Sequence, residues 1–273
     1  MSGLQPYLDF ITRIAYQAGR IALGYFNTGL RPDFKPDDTP VTAADRAVEQ
    51  FIRGEIERAY PGHAILGEEF GASVICDSAT QSVPIRDSVK ESVESRWIID
   101  PIDGTKSFMR GVPLFGVLIG LEIEGQVRVG AAYYPGTDEM LAAADGLGCW
   151  WNGKRAHVSG VASMSRAFVC NTNARNMEKY GRGPAWSRIQ AAAYACRGWS
   201  DAYGYLLVAT GRAEVMLDPV MNVWDCGPFP PILKEAGGYF GDWSGNPTHL
   251  AGEAMAVNAA LLPEMLRLIS GEE

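Results

Sequence analysis

The sequence lacks long apolar runs. Hydrophobic residues make up 47% of its 273 residues, but no stretch approaches the roughly 20 consecutive apolar residues that a membrane-spanning helix needs. The first ten residues, MSGLQPYLDF, also lack the basic segment and apolar stretch that are typical of a secretory signal. We therefore expect no membrane partner and a cytoplasmic location.

Paired cysteines and an excess of basic residues are also absent. The five cysteines are scattered and never form a C-x-x-C pair, which favours free thiols in a reducing compartment over disulfides or a zinc site. The net charge of −8 argues against a nucleic-acid partner, because phosphate backbones bind basic surfaces. It would also repel a small phosphorylated molecule unless bound cations reverse the local sign.

Periodicity predicts a mixed fold. The predicted helices cover 8–26, 43–59, 177–195, 201–210 and 233–236, and the predicted strands cover 63–66, 97–99, 115–122, 127–134, 139–144, 148–151 and 214–217. The polar, patternless stretch 71–95 is predicted to be an exposed, mobile loop. Hairpins first and alternating elements later predict an α+β half, residues 1–151, followed by an α/β half, residues 152–273.

The segment 97–108, WIIDPIDGTKSF, places two aspartates at the end of an apolar strand. Pro101 has a fixed φ and no N–H, so the chain is predicted to leave the strand at Asp100 in a tight turn. That turn brings Asp100 and Asp103 to the same side, where they repel unless one is protonated or a cation lies between them. Hard cations such as Mg²⁺ prefer such oxygen ligands, and the Ile102 carbonyl would add a neutral one.

Further acidic residues stand in similar positions. An isolated D-x-x-D is more often a polar turn whose aspartate caps the next helix. Here Glu68 also follows a predicted strand, and Asp225 stands at the start of a predicted helix. The N–H groups of Gly104 and Thr105 open a helical turn and could hold a phosphate. Together these residues predict a metal and phosphate site.

The chain resembles the inositol monophosphatase family of metal-dependent phosphomonoesterases. The matching segments are TPVTAAD at 39–45, GEE at 67–69, DPIDGTKSF at 100–108, WD at 224–225 and EAGG at 235–238. They occur in the family's order and cover nearly the whole length. The resemblance implies a layered α-β-α-β-α sandwich, two or three Mg²⁺ ions per active site, inhibition by lithium, a small phosphate monoester as substrate, and a homodimer.

The resemblance also implies the ligands of each metal. Asp100 would bridge two ions, Glu68 and the Ile102 carbonyl would complete one site, and Asp103 with Asp225 would complete the other.

The remaining roles concern water and phosphate. By the same resemblance, Glu68 and Thr105 would orient and deprotonate the attacking water, and Asp45 would hold Thr105. The N–H groups of Gly104 and Thr105 would bind the phosphate. Two departures from the family pattern are the long stretch 71–95 and the prolines at 228 and 230.

The substrate contacts are expected in the second half, together with Asp103. Aligned on LVATG at 207–211, Asp201 falls where relatives acting on inositol phosphates have a small residue, and Asp218 matches the acidic residue that contacts the alcohol. Two carboxylates suit a cationic leaving group, and SDAYGY resembles the branch that hydrolyses histidinol phosphate. Trp199 and Ser200 complete the candidate set. Alternatively, Ser200 is a helix N-cap and Asp201 complements the helix dipole.

Other readings stay open at this level. Within the family they are an inositol-1-monophosphatase, a 3′(2′),5′-bisphosphate nucleotidase and a non-catalytic member. A covalent aspartyl mechanism of the haloacid dehalogenase type needs D-x-D rather than D-x-x-D, and no Walker sequence is present. The three histidines lie far apart in no ligand pattern, so each is expected to be an ordinary polar residue.

Overall fold

The computed structural model describes residues 3–29, 33–34, 40–75, 82–84, 94–199 and 201–271. The helices are α1 (Gln5–Tyr25), α2 (Ala43–Ala59), α3 (Thr105–Met109), α4 (Ala174–Lys179), α5 (Gly183–Ala192), α6 (Tyr203–Ala209), α7 (Val223–Cys226), α8 (Phe229–Glu235) and α9 (Leu262–Ser270). Across these ranges, no helix combines the length and the apolar character needed to cross a bilayer.

The strands pair into two large sheets and one small ribbon. They are β1 (Asp33–Phe34), β2 (Pro40–Val41), β3 (Ala64–Gly67), β4 (Gly71–Ile75), β5 (Ser82–Pro84), β6 (Ser95–Asp103), β7 (Gly116–Ile123), β8 (Gln126–Tyr134), β9 (Glu139–Ala144), β10 (Gly148–Trp151), β11 (Lys154–Arg155), β12 (Phe168–Asn171), β13 (Ala195–Arg197), β14 (Val215–Asp218), β15 (Gly238–Gly241) and β16 (Ala254–Asn258).

The larger sheet has the order β11-β10-β9-β8-β7-β6-β3-β4-β5 among the described residues. Its neighbouring strands run antiparallel except for β3 and β6, which are parallel. The second sheet has the order β13-β12-β14-β16-β15, and β12 pairs in parallel with both β13 and β14. Each sheet is therefore mixed, as expected for an α+β arrangement.

The elements stack in five layers. Helices α1 and α2 cover one face of the larger sheet, and α6, α7 and α8 lie between the two sheets. Helices α5 and α9 cover the far face of the second sheet. This is the α-β-α-β-α sandwich that the resemblance implied, so the predicted fold class is confirmed.

Helix α2 begins where the sequence predicts. The Thr42 hydroxyl accepts from the N–H of Ala44, and the Thr42 N–H donates to Asp45 Oδ2 at 2.7 Å, which closes a capping box. The helix then buries Val48, Ile52 and Ile56 against the larger sheet.

Two predictions of local structure are wrong. The expected helix over 177–195 is two short helices and a strand, because Gly181 adopts a φ of +74° that ends α4 and the chain turns again after α5. The stretch 71–95 is not simply a loop, because β4 and β5 extend the edge of the larger sheet and β6 begins at Ser95. Short edge strands need not alternate apolar and polar residues, so hydrophobic periodicity did not reveal β4 and β5. The rest of that stretch lies outside the described residues.

Candidate functional site

A bulge at the end of β6 presents the two aspartates of the D-x-x-D segment. Asp100 pairs with Leu118 and Asp103 with Gly116, so Pro101 and the next residue face a single position on β7. A bulge accommodates a proline, which has no N–H to donate. The strand therefore continues to Asp103 rather than ending at Asp100, which corrects the predicted turn. Both carboxylates nevertheless reach the same cleft.

Asp225 reaches this cleft from α7, which packs on β6 and β7. Its Oδ2 accepts from the N–H of Asn222 at 2.7 Å and from the Asn222 side chain at 3.3 Å. The turn after α7 lies directly on the sheet, because a Cβ on Gly120 would come within 2.2 Å of the Gly227 carbonyl oxygen.

The two unusual prolines do not disturb this turn. Pro228 is the N-cap of α8 and Pro230 stands in its first turn, where a missing N–H costs little.

The three carboxylates form a tight cluster. Asp100, Asp103 and Asp225 each place an oxygen so that the three lie within 4.8 Å of one another. Asp100 is only 2% exposed, and its Oδ1 has no hydrogen-bond partner within the part of the chain that the structure describes. Burial, together with the charges of Glu68 and Asp103, raises the pKa of Asp100 well above its usual range.

Burial likewise raises the pKa of Asp103, with Asp201 as the next cause, and it raises the pKa of Asp225 to about 6. Such a group of oxygens is stable in the ionised form only with positive charge beside it. A hard divalent cation satisfies that requirement with the oxygen ligands it prefers. The residues present therefore fit a metal site.

Glu68 and Thr105 line the same cleft, a cavity of about 210 Å³ that also includes Lys106. The N–H of Glu68 donates to the Ile99 carbonyl at 3.2 Å, which places the turn between β3 and β4 next to Asp100. Gly104 has a φ of +81° and precedes α3 as its N-cap. The positive φ favours glycine, and a Cβ there would also come within 3.0 Å of the Leu114 carbonyl oxygen and 3.2 Å of Asp201 Oδ2.

Asp45 does not hold Thr105 as expected. The Thr105 hydroxyl donates to the Ile102 carbonyl at 3.2 Å, and Asp45 Oδ2 accepts from Thr42. Asp45 Oδ1 is buried without a hydrogen-bond partner among the described residues. Burial, with Glu68 as a lesser cause, raises the pKa of Asp45 to about 6. Asp45 thus belongs to the cap of α2.

A second cavity of about 150 Å³ adjoins the cluster. Its lining includes the carboxylates of Asp103, Asp201, Asp218 and Asp225. Asp218 accepts from the Thr172 N–H at 3.2 Å and from the Tyr205 hydroxyl at 2.9 Å. Burial raises the pKa of Asp218 to about 7, although these hydrogen bonds work against the rise.

Asp201 stands outside the helix that was predicted to contain it. Its φ is +47°, and α6 begins only at Tyr203 with Ala202 as N-cap. The Ala202 N–H donates to Asp103 Oδ1 at 2.7 Å, and the Tyr134 hydroxyl donates to the Ala202 carbonyl at 2.7 Å. Ala202, the residue after Asp201, is therefore bonded through its N–H to a carboxylate of the cluster and through its carbonyl to β8.

The remaining substrate candidates are Trp199 and Ser200. Trp199 is 38% exposed and stacks on Phe168, with ring centroids 6.2 Å apart, and it lines neither cavity. Ser200 lies outside the described residues.

Two of the histidines have structural partners, as expected. His63 Nδ1 accepts from Trp97, and His249 pairs with Glu122.

Several supporting residues escaped the sequence reasoning. Tyr134 and Tyr205 could not be identified, because nothing in the sequence distinguishes them from other aromatic residues of the core. Glu49 was also missed, because a helical glutamate with an arginine four residues later resembles an ordinary surface ion pair in the sequence. Its side chain bonds the turn that carries Glu68.

Comparison with known proteins agrees with this geometry. A profile of the Inositol monophosphatase family matches residues 3–271. A histidinol-phosphatase of Chlorobaculum parvum is 37% identical over 272 residues, covering 99% of each chain, and one of Mycobacterium tuberculosis is 35% identical, covering 96% of this chain and 94% of its own. An inositol monophosphatase structure from Anabaena (Nostoc) sp. superimposes with a TM-score of 0.81 at 29% identity, covering 99% of this chain and 97% of its own.

The fold and the carboxylate cluster together define a layered sandwich protein with a group of acidic side chains that fits a metal ion. The match over nearly the full length makes the assignment specific: the chain belongs to the inositol monophosphatase family.

Proposed function

We propose that the protein is a Mg²⁺-dependent phosphomonoesterase and that its substrate is histidinol phosphate. The observation that carries the choice of substrate is the second cavity, where Asp201 and Asp218 join two carboxylates of the cluster. No basic side chain lines this cavity among the described residues. A leaving group with an ammonium and an imidazole suits such a surface, because charge-assisted hydrogen bonds are stronger than those to neutral hydroxyls.

Named relatives support the same choice. Histidinol-phosphatases share 33–37% identity with the chain, whereas an inositol monophosphatase of Solanum lycopersicum shares 30% over 96% of it. The inositol phosphate reading is the second candidate, because several relatives with that name match nearly the full length.

In this proposal the oxygens of Asp100, Glu68 and Ile102 would hold one cation, and those of Asp100, Asp103 and Asp225 would hold another. When bound, divalent cations supply Lewis-acid charge at the phosphoryl group and lower the pKa of water.

The Glu68 carboxylate accepts the proton of the attacking water. The Thr105 hydroxyl, oriented by its bond to the Ile102 carbonyl, aligns that water, and the N–H groups of Gly104 and Thr105 bind phosphate oxygens.

On the alcohol side, Asp218 and Asp201 receive the amine and the imidazole. The Tyr205 hydroxyl and the Thr172 N–H hold the Asp218 carboxylate in one orientation, so its ordering costs little when the substrate binds. Inhibition by lithium, a homodimer and a cytoplasmic location belong to the same proposal and are supported by the family resemblance.

The test compares kcat/KM for histidinol phosphate, inositol 1-phosphate and adenosine 3′,5′-bisphosphate, each with Mg²⁺ and with excess EDTA. We expect histidinol phosphate to be preferred and hydrolysis to stop in EDTA. A preference for inositol 1-phosphate would favour the second candidate, and release of phosphate from none of them would indicate a non-catalytic family member.

A further inference from the structure

Glu49 is a buried acid that the proposed mechanism does not use. It lies on α2 and is 0% exposed. One carboxylate oxygen, Oε2, accepts from the N–H of Glu69 at 2.7 Å, and the other, Oε1, accepts from the N–H of Phe70 at 3.2 Å. Both donors belong to the turn between β3 and β4 that presents Glu68.

A buried arginine balances this charge. Arg53 Nε donates to Glu49 Oε1 at 2.8 Å, one helical turn further along α2. Its other nitrogens donate to the Ser73 hydroxyl at 2.8 Å and to the Gly71 carbonyl, both on β4. The ion pair therefore joins α2 to the turn and to the strand that follows it.

The fit leaves no space between the acid and the turn. A Cβ at Gly67, the residue before Glu68, would come within 2.0 Å of Glu49 Oε1. On its other side the turn is bonded to β6, because the Glu68 N–H donates to the Ile99 carbonyl at 3.2 Å. The backbone of Glu68 is thus held between Glu49 and β6, the strand that carries Asp100.

Buried ion pairs often add little net stability, because desolvation of both charges offsets their attraction. Here the ion pair bonds the backbone next to Glu68, a proposed cation ligand, which indicates a role in the geometry of the site rather than in stability. We propose that Glu49, balanced by Arg53, is a positioning residue that holds the Glu68 turn in the geometry for cation binding and so sets the affinity of the site. The inference rests on the cation site of the proposed function.

The test measures Mn²⁺ binding to the metal-free protein by calorimetry, because Mn²⁺ takes the same oxygen ligands as Mg²⁺. Glutamine keeps one acceptor oxygen, but in Glu49→Gln its amide nitrogen replaces the other oxygen and faces a backbone N–H donor without accepting from it. We expect the Kd for Mn²⁺ to rise about 10- to 100-fold, the usual effect of removing a group that supports a metal ligand. Activity should recover toward the parent kcat at saturating Mg²⁺.

The matched control is Glu55→Gln on the same helix, where the lost carboxylate pairs with two surface arginines, and its Kd should equal that of the parent. A milder variant, Ser73→Ala, removes one acceptor of Arg53 and should raise the Kd by a smaller factor.

Loss of stability in Glu49→Gln with an unchanged Kd would overturn the proposal, and so would an unchanged Kd in Ser73→Ala if Glu49→Gln does not fold. Binding needs no substrate. A parent that binds Mn²⁺ but hydrolyses no phosphate ester would therefore count against the proposed function alone.

Discussion

Asp100 is a carboxylate whose ionised form is disfavoured both by burial and by neighbouring negative charges. It is buried, one of its oxygens has no hydrogen-bond partner in the described chain, and other carboxylates surround it. Asp100→Asn removes one of the like charges, so we expect the variant in EDTA to unfold at a higher temperature than the parent in EDTA.

Mg²⁺ should raise the melting temperature of the parent but not of Asp100→Asn, and hydrolysis should fall by more than about 100-fold. Thermal melts in EDTA and in Mg²⁺ check this expectation. A variant that melts below the parent in EDTA would mean that the carboxylate stabilises the fold without a cation.

Asp201 tests the choice of substrate. Its φ of +47° lies in the region that asparagine tolerates, so Asp201→Asn removes the charge and leaves the backbone intact. We expect kcat/KM for histidinol phosphate to fall about 10- to 100-fold, which corresponds to the loss of a charge-assisted hydrogen bond of about 1.5–3 kcal/mol.

For inositol 1-phosphate, kcat/KM should change little. Asp138→Asn, a second aspartate with positive φ that lies outside both cavities, is the control. An equal loss on both substrates would contradict the assigned role of Asp201.

Single residues also show what the sequence could and could not indicate. The cluster of Asp100, Asp103 and Asp225 was predictable, because each stands at the end of an apolar segment. The hydrogen-bond partner of Asp45 was not predictable, because the sequence does not distinguish an aspartate that caps a helix from one that orients a catalytic side chain. Glu49 became visible only once the turn before β4 was located.

At the scale of elements, the segment before α6 depends on a neighbouring strand. Tyr134 on β8 donates to the Ala202 carbonyl, and Tyr134→Phe leaves that buried acceptor unpaired at a cost of about 1 kcal/mol in unfolding free energy. We expect KM for histidinol phosphate to rise more than kcat falls, because Asp201 precedes the loosened peptide.

Steady-state kinetics and urea denaturation check this together. Tyr133→Phe is the matched control, since its hydroxyl bonds Asp138 at 2.8 Å rather than the segment before α6. Equal changes in KM for the two variants would show that the contact to Ala202 has no special role.

Elements with a regular pattern were predicted well, and those without one were not. The hairpin of β7 and β8 consists of two β-rich runs separated by a turn at Glu124–Gly125, so its position followed from the sequence. The helix expected over 177–195 has enough apolar residues for one long helix, but the positive φ of Gly181 ends α4 and the chain becomes extended at Ala193, after α5. Strand β5 has three residues, too few for any periodicity.

At the scale of the whole molecule, His63 makes stability depend on pH. Its ring stacks on Tyr60, and its Nδ1 accepts from Trp97 Nε1 at 3.1 Å. Burial lowers the pKa of His63 below its ordinary value of 6.5. The unfolded chain therefore binds a proton more readily than the folded one, and stability falls as the pH drops below about 6.5.

The expected loss is below about 1 kcal/mol, because the ring is partly solvated. Urea denaturation at pH 7.5 and 5.5 measures it. His63→Asn keeps an acceptor for Trp97 without a titrating ring and should lose less stability over that range than the parent. His157→Asn, at an exposed histidine, should behave like the parent. Identical pH dependence in all three proteins would exclude His63 as the source.

The carboxylates of the cluster and those proposed to face the alcohol come from different parts of the chain. Asp100 and Asp103 lie on β6. Asp201 lies on the loop before α6, and Asp218 lies on β14. Mutations in the latter segments can therefore alter which alcohol is released while the machinery for cleaving the ester stays as it is. Because of that separation, substitutions on one side of the cleft can change the selectivity without touching the ligands on the other side.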